Sequence, residues 1–224
     1  MKNALILALF AFAAPLALAG EDHTHDGDIA LTVRHGRIIT GVGEGPEFRR
    51  AQVFGAELGA EGFPNTTDEP GFDNPPMTFA PGSSVRFDIL GPLLQWDGAG
   101  LSNPAGGEIM EIALGPVAVA TGAGFVPGFA LPVSDEGDWH EHYEYTLLAG
   151  DRAVSDGVYV LHMRLSSDDP SLRRSIPFWI VFNQNADDAI HDEVIDWVGA
   201  HVVPSPGGAA LLALAGLGAL RRRR

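Results

Sequence analysis

Ile29-Ala30-Leu31-Thr32-Val33-Arg34-His35-Gly36-Arg37-Ile38-Ile39-Thr40 sets the reading of the whole chain. Ile29, Leu31 and Val33 alternate with Ala30, Thr32 and Arg34, the two-residue period of a strand with one buried face. His35-Gly36 supplies a two-residue turn whose glycine accepts the positive φ of a tight hairpin, and residues 37–40 return as a second strand. Similar short segments recur at 52–58, 83–90, 93–97, 109–114, 117–121, 139–148, 158–165 and 176–182, divided by Gly, Pro, Asn and Asp. In 83–90, Val85, Phe87 and Ile89 face inward, opposite Arg86 and Asp88. Phe178-Trp179-Ile180-Val181-Phe182 is apolar on both faces and predicts a central, well-covered strand. Residues 59–78 lack periodicity and read as a long loop.

Many short strands with closely spaced turn signals predict an all-β protein, an antiparallel β-sandwich of roughly 8–10 strands. One short helix stands out at 186–198. Asn185 can cap it, Asp187 and Asp188 suit the positive end of its dipole, and Gly199 can end it. Ile190, Val194, Trp197 and Val198 give it one apolar face, for the sheets or for a membrane surface.

The two ends of the chain carry addresses. Lys2, an apolar run over 4–18 and Ala17-Leu18-Ala19 read as a secretory signal peptide, residues 1–19. A His- and Asp-rich arm (20–27) follows, then a single domain (28–199) and a tail (200–224). The tail consists of Pro204-Ser205-Pro206, an apolar run over 207–220 and four terminal arginines. That run is shorter than the roughly 20 residues of a comfortable transmembrane helix, and its arginines would stay on the cytoplasmic side. This order of parts resembles the PEP-CTERM sorting signal of bacterial exported proteins, which carries Pro-Glu-Pro at the place of Pro204-Ser205-Pro206. The resemblance implies an exosortase-type sorting enzyme as partner and membrane attachment through the tail. It also implies a place at the cell envelope or in the extracellular matrix.

Between the addresses lie nine arginines, no lysine and all 29 acidic residues, a net charge of −20 with histidine neutral. Such a charge repels nucleic acid and anionic lipid. The chain has no cysteine, which removes disulfides, thiol nucleophiles, thiolate zinc sites and lipoprotein anchoring. No Gly-x-Ser-x-Gly elbow, His-Glu-x-x-His helix or phosphate-binding loop is present, so the chain reads as non-catalytic.

The chemistry that remains is histidine chemistry. In Trp139-His140-Glu141-His142-Tyr143-Glu144-Tyr145, residues two apart share a strand face. His140, His142 and Glu144 therefore project together, and Tyr143 and Tyr145 turn to the core. Two imidazoles at that spacing can share a metal ion, and His/carboxylate ligation suits zinc. A second pair, His23-Thr24-His25, is followed by Asp26 and Asp28; an arm bearing it can complete a site begun by His140 and His142, pinning the hairpin's leading edge there. The expected ligands are His23, His25, His140 and His142, with Glu144 as the first substitute. Both stretches, together with Gly157-Val158-Tyr159, are similar to a group of bacterial surface-anchored proteins, some members of which are linked to zinc limitation, which implies zinc handling.

Other readings stay open. Asp68, Glu69, Asp73 and Asn74 offer oxygens to Ca²⁺, or form an ordinary polar loop. His162 reads as a satisfied, half-buried strand histidine. The alternative to a metal protein is a structural or adhesive matrix module that binds polysaccharide or protein without metal, through Trp96 and Trp139.

Overall fold

The computed structural model describes residues 27–203. The expected signal peptide, the expected arm through Asp26 (His23 and His25 with it) and the expected sorting tail from Pro204 onward lie outside the described residues. Strands β1 (Ile29–Arg34), β2 (Arg37–Val42), β3 (Arg49–Arg50), β4 (Val53–Glu57), β5 (Thr66–Thr67), β6 (Phe72–Asp73), β7 (Ser84–Ile89) and β8 (Leu94–Trp96) come first. They are followed by β9 (Leu101–Ser102), β10 (Ile109–Leu114), β11 (Val117–Ala120), β12 (Val126–Pro132), β13 (Glu144–Leu148), β14 (Gly157–Ser167) and β15 (Phe178–Gln184). A single α-helix, α1 (Asp188–His201), closes the described chain. No helix among the described residues is long and apolar enough to cross a membrane.

The strands form three sheets, ordered β3-β2-β1-β6, β11-β10-β13-β5 and β12-β7-β14-β15-β4, with β8 and β9 added beside β14. The opening hairpin is as expected. Arg34 and Arg37 close it as a cross-strand pair, and His35 (φ 52°) and Gly36 (φ 66°) both take the left-handed conformation of a primed two-residue turn. β15 runs between β14 and β4 with all seven residues buried, as its two-sided apolarity predicts. Phe178, Ile180 and Phe182 join a large cluster that draws on all three sheets, while Trp179 and Val181 join a smaller one with α1.

Strand pairing is not antiparallel throughout: β1 runs parallel to β6, and β15 to β4. Neither pair is joined by a hairpin, so a segment arriving from elsewhere in the chain is free to lie parallel. The 59–78 stretch is not all loop, because β5 and β6 lie inside it; two-residue strands are too short to show a period. Strand β12 also escapes sequence reading. Its Pro127, Gly128 and Pro132 suppress the strand signal, and all are admissible because β12 is a sheet edge with a register shift between Pro127 and Ala130.

The helix begins and ends later than its sequence signals indicate. Asp187 is the residue at the N-cap, whereas Asn185 sits at φ 52° and spends its amide on Asp156 Oδ1 at 2.9 Å. Gly199 lies inside the helix rather than ending it. The buried face is His191, Val194 and Val198, with Ile190 39% exposed. That face rests on the seven-stranded sheet through Val158, Val160, Trp179 and Val181. A side chain at Gly199 would meet nothing within 4 Å. Gly199→Ala is therefore expected to stabilise the protein by about 0.5–1 kcal/mol, through helix propensity alone. Urea unfolding checks this, and a loss of stability would contradict the open environment.

Candidate metal centre

The centre is built on Phe72, the middle of three adjoining backbones. On one side Phe72 pairs with Ile29 of β1, whose amide donates to the Gly71 carbonyl at 2.9 Å. On the other it bridges Glu141, each amide donating to the other's carbonyl at 2.9 and 3.0 Å. Side chains alternate along extended chain. Asp28, next to Ile29, Gly71, next to Phe72, and the pair His140 and His142, flanking Glu141, therefore fall together on one side. The opposite side is apolar. Phe72 is fully buried against Trp139, Tyr143 and Phe178, with ring centroids 5.7, 5.9 and 6.0 Å away. The alternation Trp139, Tyr143, Tyr145 inward and His140, His142 away from them is thus fixed by the core.

The three polar side chains converge. His140 Nε2 and His142 Nε2 are 3.0 Å apart. His140 Nε2 lies 3.5 Å from Asp28 Oδ2, and His142 Nε2 lies 3.7 Å from Asp28 Oδ1. A tetrahedral ion with ligands at about 2.0–2.2 Å spaces them about 3.3–3.5 Å apart. The observed separations of 3.0–3.7 Å bracket that spacing, and one ligand atom from each of the three residues lies within 4.8 Å of the other two.

Asp28 makes the strongest case for a cation. Its side chain is only 6% exposed, and neither oxygen accepts a hydrogen bond among the described residues. Buried carboxylates without a hydrogen-bond partner are rare because desolvation costs several kcal/mol. A proton shared between the two imidazoles would serve the nitrogens and give Asp28 an ion pair at 3.5–3.7 Å, but no hydrogen bond. A cation inside the triangle gives all three groups a common partner.

The surroundings orient the ligands. His142 Nδ1 faces the Asp68 carbonyl at 3.3 Å, which can only accept, so this nitrogen carries the hydrogen and Nε2 offers its lone pair to the centre. Glu69 Oε1 stands 3.7 Å from the same Nδ1, and Glu69 Oε2 accepts the Gly71 amide at 3.1 Å. Burial pushes the Glu69 carboxyl up, against the opposing pull of that amide and of His142. The Tyr145 hydroxyl donates to the Pro70 carbonyl at 3.4 Å, and burial raises the phenols of both Tyr143 and Tyr145. Gly71 provides the room. A Cβ there would stand 2.6 Å from His142 Cε1 and 2.7 Å from Asp28 Oδ1.

Of the expected ligands, His140 and His142 meet as their spacing indicates, and His23 and His25 lie outside the described residues. Glu144 does not join the cluster of Asp28, His140 and His142. It is exposed at the head of β13, opposite Ala113, two residues beyond His142, or about 6.5 Å along extended chain. Asp28 takes the carboxylate position instead, at the leading edge of the hairpin. Asp68 and Glu69, candidates for Ca²⁺ in sequence, serve the second rank of this centre.

Two other expectations change. Trp139 is 1% exposed and has no face to offer a sugar. His162 is half-buried as expected but not satisfied: it stacks on Trp179 at 4.6 Å, and its Nε2 has no hydrogen-bond partner among the described residues. Burial first, and Arg164 second, hold its pKa down. The chain matches no known protein-family model and no curated protein sequence.

Proposed function

We propose that this chain is an exported, non-catalytic metal-binding protein whose centre is Asp28, His140 and His142 and whose ion is Zn²⁺. The observation that carries the reading is the nearly buried Asp28 carboxylate, without a hydrogen bond among the described residues, facing two imidazole nitrogens across a space that Gly71 leaves clear. A donor set of two imidazoles and a carboxylate, without thiolate, suits zinc. His25 and His23 precede Asp28 by three and five residues, a reach of at most about 10 and 18 Å. Either can supply the fourth ligand that makes a closed, structural site rather than an open, catalytic one. In this reading the sheets stack as a β-sandwich, in keeping with a core cluster shared by all three. The signal peptide and the PEP-CTERM-like tail take the protein to the cell envelope or the matrix, with an exosortase-type enzyme as sorting partner.

Zinc content and a Zn²⁺ titration of the chain, purified without a histidine tag, test the reading. About one equivalent per chain is expected, with a Kd below about 10 μM, together with a rise in melting temperature that EDTA reverses. His140→Ala/His142→Ala should lose both, and Glu144→Ala should keep both. Binding no tighter than about 10 μM, or an unaffected double variant, would overturn the metal assignment.

A further inference from the structure

The nine arginines between the chain's two ends divide into two groups. Arg86 and Arg164 pair with the buried Asp88 carboxylate at 3.2 Å each, and Arg152 acts on Glu108. The other six, Arg34, Arg37, Arg49, Arg50, Arg173 and Arg174, have no carboxylate within 4.0 Å among the described residues. That is unexpected in a chain with 29 acids.

The fold gathers these six along β2 from two distant parts of the sequence. Arg34 and Arg37 are the closing pair of the β1–β2 hairpin. Arg37 bridges Arg173, the Arg173 amide donating to the Gly36 carbonyl at 2.7 Å. Arg49 and Arg50 form β3 against Val42 and Gly41, at the far end of β2. Arg50, opposite Gly41, shares the face of Arg37, whereas Arg49, opposite Val42, lies on the other face. Arg37 and Gly41 are four residues apart, about 13 Å at about 3.3 Å per strand residue. Arg37 is half-buried and the other five are exposed.

Nothing in the fold calls for this concentration. Like charges directly opposite on a sheet are destabilising, and interleaved acids would solvate the surface as well. The guanidinium groups are nonetheless braced. Arg37 Nη1 donates to the Arg174 carbonyl at 2.8 Å, Arg173 Nη2 to the His35 carbonyl at 2.6 Å, and Arg50 Nη2 to Gln52 Oε1 at 3.1 Å. Arg34 lies 5.1 Å over the Phe48 ring. Each guanidinium has five donors, so bracing leaves most of them for a ligand, and their fork matches a carboxylate.

We infer that this arginine row binds a linear, carboxylate-bearing polysaccharide. Forks grouped at the two ends of β2 fit a chain that repeats its carboxylate along its length. Of the large apolar residues along the row, Val42 is the exposed one (37%), so the row has little to insert into a bilayer. Glu44 and Asp73 line the same pocket as Arg34, and Glu47 the same pocket as Arg49. With screening over about 8 Å at physiological salt, a bound polymer senses the arginines and these three acids and little of the acidic remainder. The inference stands apart from the metal centre, whose residues it does not use.

The test measures binding of the full-length chain to immobilised polygalacturonate at about 0.15 M NaCl. Neutral dextran and phosphatidylglycerol vesicles are run beside it, and sedimentation reads self-association. Expected are retention on polygalacturonate but not dextran, and at least roughly tenfold weaker binding by Arg37→Gln/Arg50→Gln/Arg173→Gln, with Zn²⁺ uptake unchanged. The corresponding lysine triple variant keeps the charge and loses the forks, and should fall between. Absence of retention, equal retention on dextran, or an unaffected glutamine variant would overturn the inference. So would arginine-dependent binding to the vesicles alone, or arginine-dependent self-association without polymer binding.

Discussion

Gly71→Ala is expected to remove the protein's response to Zn²⁺ while leaving the metal-free fold close to its original stability. The backbone at Gly71 is not in the left-handed region, so alanine meets no conformational penalty there. What it meets is the site: its Cβ would stand 2.6 and 2.7 Å from Cε1 and Nδ1 of His142, and 2.7 Å from Asp28 Oδ1. These are the far ends of side chains, and they can swing away at modest cost. In doing so His142 gives up the Asp68 carbonyl that orients it, and the triangle opens. Losing an orienting partner alone costs metal affinity about 10–100-fold. Displacing two of the ligands belongs at or beyond the upper end. Titration calorimetry should show Zn²⁺ affinity reduced by about two orders of magnitude, and the EDTA-reversible melting shift should disappear. Gly91→Ala is the control, since a Cβ at Gly91 meets nothing within 4 Å. Undiminished zinc affinity in Gly71→Ala would mean that Asp28 and His142 do not jointly hold an ion.

The sequence carried the strands whose burial pattern repeats and missed those without one. β1, β2, β7 and β15 were legible because their side chains alternate or are wholly apolar. β6 is two residues long and was not legible, yet it is the strand that brings Asp28 beside His140 and His142. Half of the site was therefore readable as His-x-His, a local pattern. The carboxylate was not, because its place depends on a parallel pairing between segments some forty residues apart, with no hairpin to announce it. Glu144 was favoured by the face rule, which holds for as long as the chain stays in one sheet. After His142 the chain leaves the edge of β6 and enters the ladder with β10 and β5. Gly71 could have been a signal: a glycine without positive φ, beside an aromatic residue that must pack, marks a place where something approaches closely.

The largest effect on stability is expected from Phe72→Ala. The ring is fully buried among Trp139, Tyr143 and Phe178, and its own backbone holds β1 on one side and Glu141 on the other. Removing a buried phenylalanine costs about 3–5 kcal/mol, the lost transfer energy plus that of a cavity that large aromatic neighbours cannot close. Against a total of about 5–15 kcal/mol for a domain, that is a fifth or more of the stability. Phe72→Leu keeps most of the volume and should cost less than half as much. Because Phe72 also spaces the two ligand-bearing segments, the alanine variant should bind Zn²⁺ more weakly without touching a ligand. Metal should still restore part of its stability, up to about 2.7 kcal/mol at a hundred times its own Kd. Urea unfolding of both variants, with EDTA and with Zn²⁺, separates the contributions. A loss below about 1 kcal/mol for Phe72→Ala with EDTA would show that this ring is not packed as described. A Zn²⁺ affinity equal to that of the unaltered protein would show that the Phe72 strand does not position the centre.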